Sequence, residues 1–339
     1  MDIVVAAFEP TDLEAAERGY AVQRAAVAVD IPDFPPPSRT TFFGGLGRPW
    51  PGDEPEYALA MIDGDAAGLL ILHVPQLDNT DNVQVELVVH PDHRRRGVGR
   101  VLHGHARRRA QELGRKRLMS DTVQALPGGP ARSGAGAAFA AAMGAAPALG
   151  EVRRRLDLSS LDWERLDGLL ADGWTRARSY AVVRWLGTTP EEYVSDVAYL
   201  DGRLMEDAPM GDLAMEPQKV DAERVRGAEA AAAARRVRAY QTGVRHDESG
   251  RLVAWTLITV NHDVRWHAFQ QITIVDPAHR GHRLGIVVKI ENLRHALAHE
   301  PDLRIIDTFN AALNDHMIAI NEAMGFRPVD AWENWQQSL

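Results

Sequence analysis

The feature that most constrains the fold is an internal repeat of a strand, a short loop and a helix. The first copy starts at Val85 and reads VELVVHPDHRRRGVGRVL, and the second starts at Gln271 and reads QITIVDPAHRGHRLGIVVKIENL. The copies lie about 180 residues apart, which is too long for a solenoid repeat. The 339 residues of the chain also exceed the usual size of one core. The sequence therefore predicts duplication of a whole domain.

Both halves show the same order of predicted elements. In the first half, apolar alternation predicts strands over residues 3–8, 57–62, 67–74, 83–90, 117–123 and 152–158, and helices over 12–29, 97–113 and a short Ala-rich stretch up to 143. In the second half it predicts strands over 179–186, 238–245, 252–260, 269–275, 304–309 and 326–335, and helices over 282–299 and 314–324. The predicted class is α/β (α+β), with domains at 1–158 and 179–339 and a linker at 159–178.

Composition and charge exclude several functional classes. The chain has no cysteine, which excludes disulfides, thiolate metal sites and a cysteine nucleophile. Its 13 histidines show no HExxH or similar ligand spacing, so no metal site is predicted. A formal net charge of -9 argues against a nucleic-acid partner, because such proteins usually match phosphates with excess Lys and Arg.

No part of the sequence predicts a membrane segment. The longest apolar stretches fall well short of the 18 or more residues that span a bilayer. The start of the chain, MDIVVAAFEPTDLEAAE, lacks the basic segment and apolar core of a signal peptide. The chain is therefore expected to be soluble and cytoplasmic, without a membrane partner.

The loop of the first copy has the chemistry of an anion site. It places Arg94, Arg95 and Arg96 and the glycines Gly97 and Gly99 between a predicted strand and a predicted helix. Several backbone N-H groups at a helix start lack intrahelical partners, and glycine lets the backbone approach phosphate oxygens. Successive N-H groups in such a turn form a concave nest for a diphosphate.

The pattern Arg-x-x-Gly-x-Gly after ELVVHP resembles motif A of the GNAT superfamily of N-acyltransferases. The resemblance implies a mixed, mostly antiparallel sheet flanked by helices in each half, and acetyl-CoA or another acyl-CoA as the ligand. It also implies that the first half contacts this ligand through Leu87, Val88, Val89, Arg94, Arg95, Arg96, Gly97, Val98, Gly99, Arg100, Ser133 and Phe139. In the second half the corresponding residues are Ile274, Val275, Arg280, Gly281 and Gly285, with Arg283 in place of the first glycine. Acyl-CoA binding and a purely structural copy both stay open for the second half.

A later segment, TFNAALNDHMIAINEAMGFRPVD, resembles the family motif that closes the site under the acyl thioester. Asn310, Asn314 and Asn321 match its frame, together with Gly325 and Phe326. Many family members have a tyrosine where Asn321 stands, and that tyrosine can protonate the leaving thiolate. The corresponding positions of the first half are Ala140 and Ser133. Neither half therefore shows the usual general acid.

Two residue sets compete for catalysis. Glu86 is the candidate base of the first half, because several family members carry a catalytic carboxylate there, although a strand glutamate paired with an arginine is an equal alternative. The second half offers Asn310, Asn314 and Asn321, of which Asn314 is also a plausible helix cap. On this basis we expect the first domain to hold acyl-CoA and the second to perform transfer.

The tandem arrangement resembles that of some GNAT proteins of actinomycete secondary metabolism, including clavulanic acid biosynthesis. That resemblance implies an N-acetyltransferase with a small-molecule amine as the acceptor. The alternative is an acyl-CoA sensor or structural protein without turnover, which the absence of the tyrosine in both halves favours. The sequence indicates neither the acyl length nor an oligomeric state.

Overall fold

The structure is a computed structural model that describes residues 2–339. Two compact units divide the chain: unit 1 consists of Met1–Glu151, Gly211–Glu216 and Asp330–Leu339, and unit 2 of Val152–Met210 and Pro217–Val329. This division differs from the predicted bounds of 1–158 and 179–339. Unit 1 takes in a distant segment, residues 330–339, and the residues predicted as a linker belong to unit 2.

Strands and α-helices account for most of the described residues. The strands are β1 (Val4–Phe8), β2 (Glu56–Ile62), β3 (Asp65–His73), β4 (Asn82–Val89), β5 (Arg117–Ala125), β6 (Ala146–Asp157), β7 (Tyr180–Leu186), β8 (Arg238–His246), β9 (Leu252–Val260), β10 (His267–Val275), β11 (Ile305–Ala311) and β12 (Arg327–Ser338). The α-helices are α1 (Leu13–Asp30), α2 (Arg39–Gly47), α3 (Val98–Glu112), α4 (Ala135–Ala142), α5 (Trp163–Arg176), α6 (Val194–Gly202), α7 (Leu204–Asp207), α8 (Ala222–Ala234), α9 (Leu284–His299) and α10 (Asp315–Met324).

The sheet of unit 1 has the order β1-β2-β3-β4-β5-β12, followed by the first part of β6. Its neighbours from β1 to β4 are antiparallel, as are β5 and β12. The pair β4 and β5 is parallel and meets only from Asn82 and Arg117 to Gln84 and Met119. One face of the sheet packs on α3 through Leu102 and its neighbours, and the other packs on α1.

The sheet of unit 2 has the order β11-β10-β9-β8-β7, with the second part of β6 beside β11. Again one parallel pair, β10 and β11, is short and joins His267 with Ile305 through Phe269 with Asp307. The pairing of β10 with β9 shifts between Gln270 and Thr273, which marks a bulge. A large core lies between this sheet and α5 and α9, and a smaller one includes α6 and α8.

The predicted linker is a helix because its sequence has a cap and an apolar face. The Asp162 carboxylate accepts a hydrogen bond from the Arg165 N-H and so caps α5. Leu166 and Leu170 are buried in the core of unit 2. A Cβ on Gly173 would lie 2.7 Å from the Val287 side chain of α9. A helix that packs this closely cannot act as a linker.

The predicted fold class is confirmed: each unit is a mixed, mostly antiparallel sheet flanked by helices. Each unit has one short parallel pair, beyond which the two strands lose their pairing. This opening, which we call the wedge, lies between β4 and β5 in unit 1 and between β10 and β11 in unit 2. Within residues 2–339 no helix is long and apolar enough to cross a membrane.

Candidate functional site

The loop before α3 has the backbone of an anion nest. Arg95 has φ +63° and Gly97 has φ +93°, so left-handed residues alternate with extended or right-handed ones and turn successive N-H groups inward. Gly97 is the N-cap residue of α3 and no side chain caps this helix. Its first N-H groups therefore have no partner from a capping side chain.

Close packing against α4 favours glycine at position 99. A Cβ at this position would lie 3.2 Å from the ring of Phe139 on α4. The ring of His103 meets Phe139 edge-on at 6.3 Å, and the His103 Nε2 lies 2.8 Å from the Gln337 Oε1 of β12. The start of α3 is thus held closely against α4, and a larger residue at Gly99 would disturb both.

The arginines around the loop do different things. Arg94 donates two hydrogen bonds to the Asp30 carboxylate, at 2.8 and 2.7 Å, so its side chain fastens the loop to α1. Arg95, Arg96 and Arg100 are exposed, and none of them has a carboxylate partner within residues 2–339. Of these four guanidinium groups, the three exposed ones are available to a phosphate and that of Arg94 is not.

The loop before α9 keeps the same backbone with the residue types exchanged. Gly281 has φ +85° where unit 1 has Arg95, and Arg283 has φ +57° where unit 1 has Gly97. The replacement of the first glycine by Arg283 therefore does not remove the nest. Two cations of this loop are already paired within unit 2: Arg280 with Asp207 at 2.8 Å, and Arg283 with Asp172 at 3.1 Å.

Beside the wedge of unit 1, the two faces of the sheet carry different side chains. Leu87 and Val89 of β4 pack with the core under α3. Because side chains alternate along a strand, Glu86 and Val88 face the other side, and Val88 packs with the core around α1. A ligand that enters the wedge from the loop of α3 would meet Glu86 on the far face.

A row of polar side chains crosses this far face, one from each of five neighbouring strands: His73, Glu86, Asp121, Asn334 and Glu151. We call it the polar row. The His73 Nε2 lies 3.1 Å from the Glu86 Oε1, and the Asn334 Nδ2 donates to the Glu151 Oε2 at 2.9 Å. Asn334 stands directly opposite Asp121 in the pairing of β12 with β5, so the two side chains share a face.

The pKa values of two groups in the polar row are raised, for different reasons. The pKa of Asp121 is raised to about 6, because partial desolvation in the sheet disfavours its carboxylate although the side chain reaches solvent, and because the charges of Glu86 and Glu151 repel it. Burial disfavours the imidazolium of His73, but hydrogen bonds to Asp53 and Glu86 outweigh this effect and raise the pKa of His73 to about 10. At neutral pH His73 is therefore charged, and Asp121 is mostly ionised.

The three asparagines predicted for catalysis in unit 2 are not one cluster. The Asn321 Nδ2 donates to the Asn310 Oδ1 at 2.6 Å, and Asn321 is fully buried. The Asn314 side chain instead accepts from the Met317 N-H at 3.2 Å and caps α10. The bulge of β10 is filled by Gln270, whose amide donates to the Leu257 carbonyl.

The strand β11 contributes one carboxylate, that of Asp307, to a buried cluster of charged side chains. Asp307 is fully buried and accepts from Arg153, Arg155 and His267 at 2.7–3.0 Å. Burial alone would raise the pKa of Asp307, but hydrogen bonds from Arg155 and His267 outweigh it and hold this pKa well below its usual range. A carboxylate so strongly held in its charged form is a poor proton acceptor.

The remaining predicted contacts lie near the two loops. Ser133 accepts from the Ala135 N-H at 3.3 Å, just before α4. Ile274 is buried, and a Cβ on Gly285 would lie 3.9 Å from Val275. Ala140 is buried in α4 and offers no proton donor.

Of the polar row, the sequence predicts Glu86 alone and misses His73, Asp121, Asn334 and Glu151. Asp121 carries a signal, because a carboxylate in a strand just beyond the predicted wedge is unusual for a half-buried sheet. Asn334 carries none, since its place in unit 1 depends on the pairing of β12 with β5.

The fold and the loops are those of a class of acyltransferases in which a glycine-containing backbone nest lies beside a wedge between parallel strands. The acetyltransferase (GNAT) family model matches residues 25–127. A solved tandem GNAT protein from the clavulanic acid biosynthesis pathway is 32% identical, with a TM-score of 0.85, and the match covers 99% of this chain and 98% of that chain. The chain belongs to the GNAT family of acetyltransferases, as a member with two tandem GNAT units.

Two more distant structures share the fold. A GCN5-related N-acetyltransferase from Sphaerobacter thermophilus is 13% identical, with a TM-score of 0.65 over 99% of this chain and 95% of that one. An N-myristoyltransferase of Saccharomyces cerevisiae with bound myristoyl-CoA is 11% identical, with a TM-score of 0.60 over 99% and 79%. Comparison with curated proteins gave no significant match.

Proposed function

We propose that this protein is an acyl-CoA-dependent N-acyltransferase, with acetyl-CoA as the donor and a small-molecule amine as the acceptor. The nest of unit 1 binds the diphosphate, and the acyl-pantetheine arm enters the wedge between β4 and β5. A small acceptor is supported by the pathway named for the 32% identical relative. Exposed Arg95, Arg96 and Arg100 supply charge for the phosphates.

The observation that carries this proposal is the position of Glu86 and Asp121. Both side chains lie beyond the last paired residues of β4 and β5, on the face opposite α3. An acyl group that reaches through the wedge arrives beside two carboxylates, which attract an ammonium ion. Since an alkyl amine has a pKa of about 10, a nearby base is needed to free its lone pair.

Asp121 is the better proton acceptor of the two. Its pKa of about 6 lies near the pH of the reaction, which favours general base catalysis. Glu86 is hydrogen-bonded to the charged His73, an arrangement that suits it to hold the ammonium. Asp121 takes one proton from the ammonium ion, and the freed amine nitrogen bonds to the acyl carbon. As the carbon–sulfur bond breaks, the thiolate accepts the second nitrogen proton and CoA leaves as the thiol.

This proposal places transfer in unit 1, whereas the sequence favours unit 2. The asparagines of unit 2 bind one another or cap a helix, and they offer no group that takes a proton at neutral pH. One observation supports unit 2 as a second candidate: the bulge of β10 re-aims backbone N-H groups beside its wedge. We favour unit 1 because transfer needs a base, and a proton acceptor is stronger support for catalysis than a bulge.

Thiol release from acetyl-CoA with a panel of small amines tests the proposal. Glu86→Gln and Asp121→Asn should each reduce turnover by about 100-fold or more, with acyl-CoA still bound. Asn310→Ala is the matched change in unit 2 and should retain most of the activity. If Asn310→Ala abolished turnover and the two carboxylate variants retained it, transfer would belong to unit 2. Tight acyl-CoA binding without thiol release for any amine would indicate a sensor.

A further inference from the structure

The polar row continues beyond Glu86 into a chain of three hydrogen-bonded side chains. The His73 Nδ1 lies 2.6 Å from the Asp53 Oδ2, and the His73 Nε2 lies 3.1 Å from the Glu86 Oε1. Exposure of the side chains rises along this chain, from 15% for Asp53 to 30% for His73 and 45% for Glu86. The inner end is thus shielded and the outer end reaches solvent.

Backbone contacts hold the inner end in place. Asp53 lies in the loop between α2 and β2 and forms a bridge with Pro75, just beyond β3. On either side of Asp53, the Glu54 N-H donates to the Val74 carbonyl at 3.1 Å, and the Gln76 N-H donates to the Gly52 carbonyl at 2.8 Å. The loop that carries Asp53 is therefore fixed to the end of the strand that carries His73.

We propose that Asp53 and His73 are positioning residues that hold Glu86 in one orientation at the wedge. This inference rests on the proposed function, because it needs Glu86 to contact the acceptor amine. His73 donates to both carboxylates and so carries a positive charge, which fixes Glu86 Oε1. Within residues 2–339 the other oxygen, Oε2, receives no hydrogen bond, so it is available to an ammonium N-H.

The imidazolium also has an electrostatic consequence for the row. Glu86 and Glu151 already repel the charge of Asp121. Without His73, Glu86 would have no cation beside it and would turn toward solvent to reduce that repulsion. A held carboxylate loses less conformational freedom when the substrate binds and keeps the amine within reach of the acyl carbon.

Steady-state kinetics of His73→Gln, Asp53→Asn, Glu86→Gln and the double variant His73→Gln/Glu86→Gln tests this role. We expect kcat to fall roughly 10- to 100-fold for His73→Gln and less for Asp53→Asn. The dissociation constant of acetyl-CoA, measured by calorimetry, should stay within about twofold, since the nest is untouched. His105→Gln on α3 is the control histidine and should leave kcat unchanged.

The double variant separates positioning from structural damage. If His73 acts through Glu86, the double variant should be no slower than Glu86→Gln alone, because groups that act as a unit are not additive. Multiplicative losses would show that His73 acts independently and would overturn the inference. Loss of activity in Glu86→Gln with full activity in His73→Gln would overturn it and leave the proposed function standing. Full activity in Glu86→Gln would overturn the inference together with the role proposed for Glu86, and loss of acetyl-CoA binding by His73→Gln would show a structural role instead.

Discussion

Arg95 and Arg283 occupy left-handed backbone positions that glycine adopts more easily, and each has a glycine two positions away in the same loop. The two loops thus reach one backbone shape with Arg and Gly exchanged. Arginine in this region costs roughly 1–2 kcal/mol, so something in the fold must hold it there. In unit 1 that support includes the hydrogen bonds between Arg94 and Asp30.

A nest made of backbone N-H groups predicts unequal effects of two substitutions in this loop. Gly99→Glu should abolish acetyl-CoA binding, because the new side chain presses on the Phe139 ring and its charge repels the diphosphate. Arg95→Ala should weaken binding by less than about tenfold, since the N-H groups remain and only an exposed charge is lost. Calorimetric titration with acetyl-CoA measures both. Similar losses for the two variants would contradict a backbone nest.

The raised pKa of Asp121 predicts how activity and stability vary with pH. The rate at low substrate should rise with pH through about 6, as Asp121 loses its proton and becomes a base. Stability has the opposite sign: the folded protein binds this proton more tightly than the unfolded chain, so ionised Asp121 destabilises the fold at neutral pH, and its exposure to solvent keeps this effect small. Asp121→Asn should therefore remove this rise of the rate with pH. It should also raise the melting temperature at pH 7.5 more than at pH 4. An unchanged rate profile in Asp121→Asn would exclude it as the base.

At the scale of elements, α9 differs from α3 in being buried on nearly all sides from Leu284 to Leu293. It contains a fully buried lysine, Lys289, whose ammonium lies 5.4 Å from the centre of the Phe326 ring. Burial lowers the pKa of Lys289 to about 7. A cation–π contact offsets only part of the cost of placing this charge in a core.

Lys289→Met should therefore stabilise the protein in a pH-dependent way. The unfolded chain holds the lysine proton up to about pH 10.5, whereas the folded protein releases it near pH 7, so stability from this group is lost as pH falls through that range. The gain in melting temperature should be larger at pH 7 than at pH 10. Lys116→Met, which alters an exposed ion pair with Asp81, is the control. Equal gains at both pH values would argue that packing rather than charge is responsible.

Secondary structure and both loops are largely predictable, because hydrophobic periodicity and glycine placement are local signals. The predicted helix over 282–299 is α9 within two residues at its start. The sequence does not predict α2, α6 and α8, because their apolar spacing is weak or their composition is Ala-rich. Most of the polar row cannot be predicted from the sequence, because its membership depends on which strands pair. Asn314 shows the opposite case: the capping role that its sequence suggests is the one the structure shows.

At the scale of the molecule, the two units have the same wedge and nest but different chemistry around them. Unit 1 has unpaired arginines at its loop and carboxylates beyond its wedge, whereas unit 2 pairs its loop arginines and fills its bulge. We therefore expect acyl-CoA to occupy unit 1 before unit 2. Native mass spectrometry of the purified protein and of Gly99→Glu counts the bound acyl-CoA molecules directly, and full occupancy in the variant would contradict this order.

Unit 1 depends on residues distant in sequence, which makes a truncation informative. Trp335 is buried and donates its indole N-H to Thr122 of β5 at 2.8 Å, and Asp330 pairs with Arg132 at 2.7 Å where both are buried. Deleting residues 330–339 should abolish acetyl-CoA binding and lower the melting temperature. A synthetic peptide of residues 327–339 should restore part of the binding by strand addition, and a scrambled peptide should not. Unchanged affinity after the deletion would mean that β12 is dispensable for the nest.

The same strand bears on how the protein is made. Domains usually fold as the ribosome releases them, starting from the N-terminal one. Here the sheet of unit 1 stays one strand short until residues 330–338 have been translated, so β5 waits with an unpaired edge while all of unit 2 is synthesised. An exposed strand edge invites pairing with other chains. Translation speed and chaperone supply should therefore affect the fraction of chains in which unit 1 folds correctly more than the fraction in which unit 2 does.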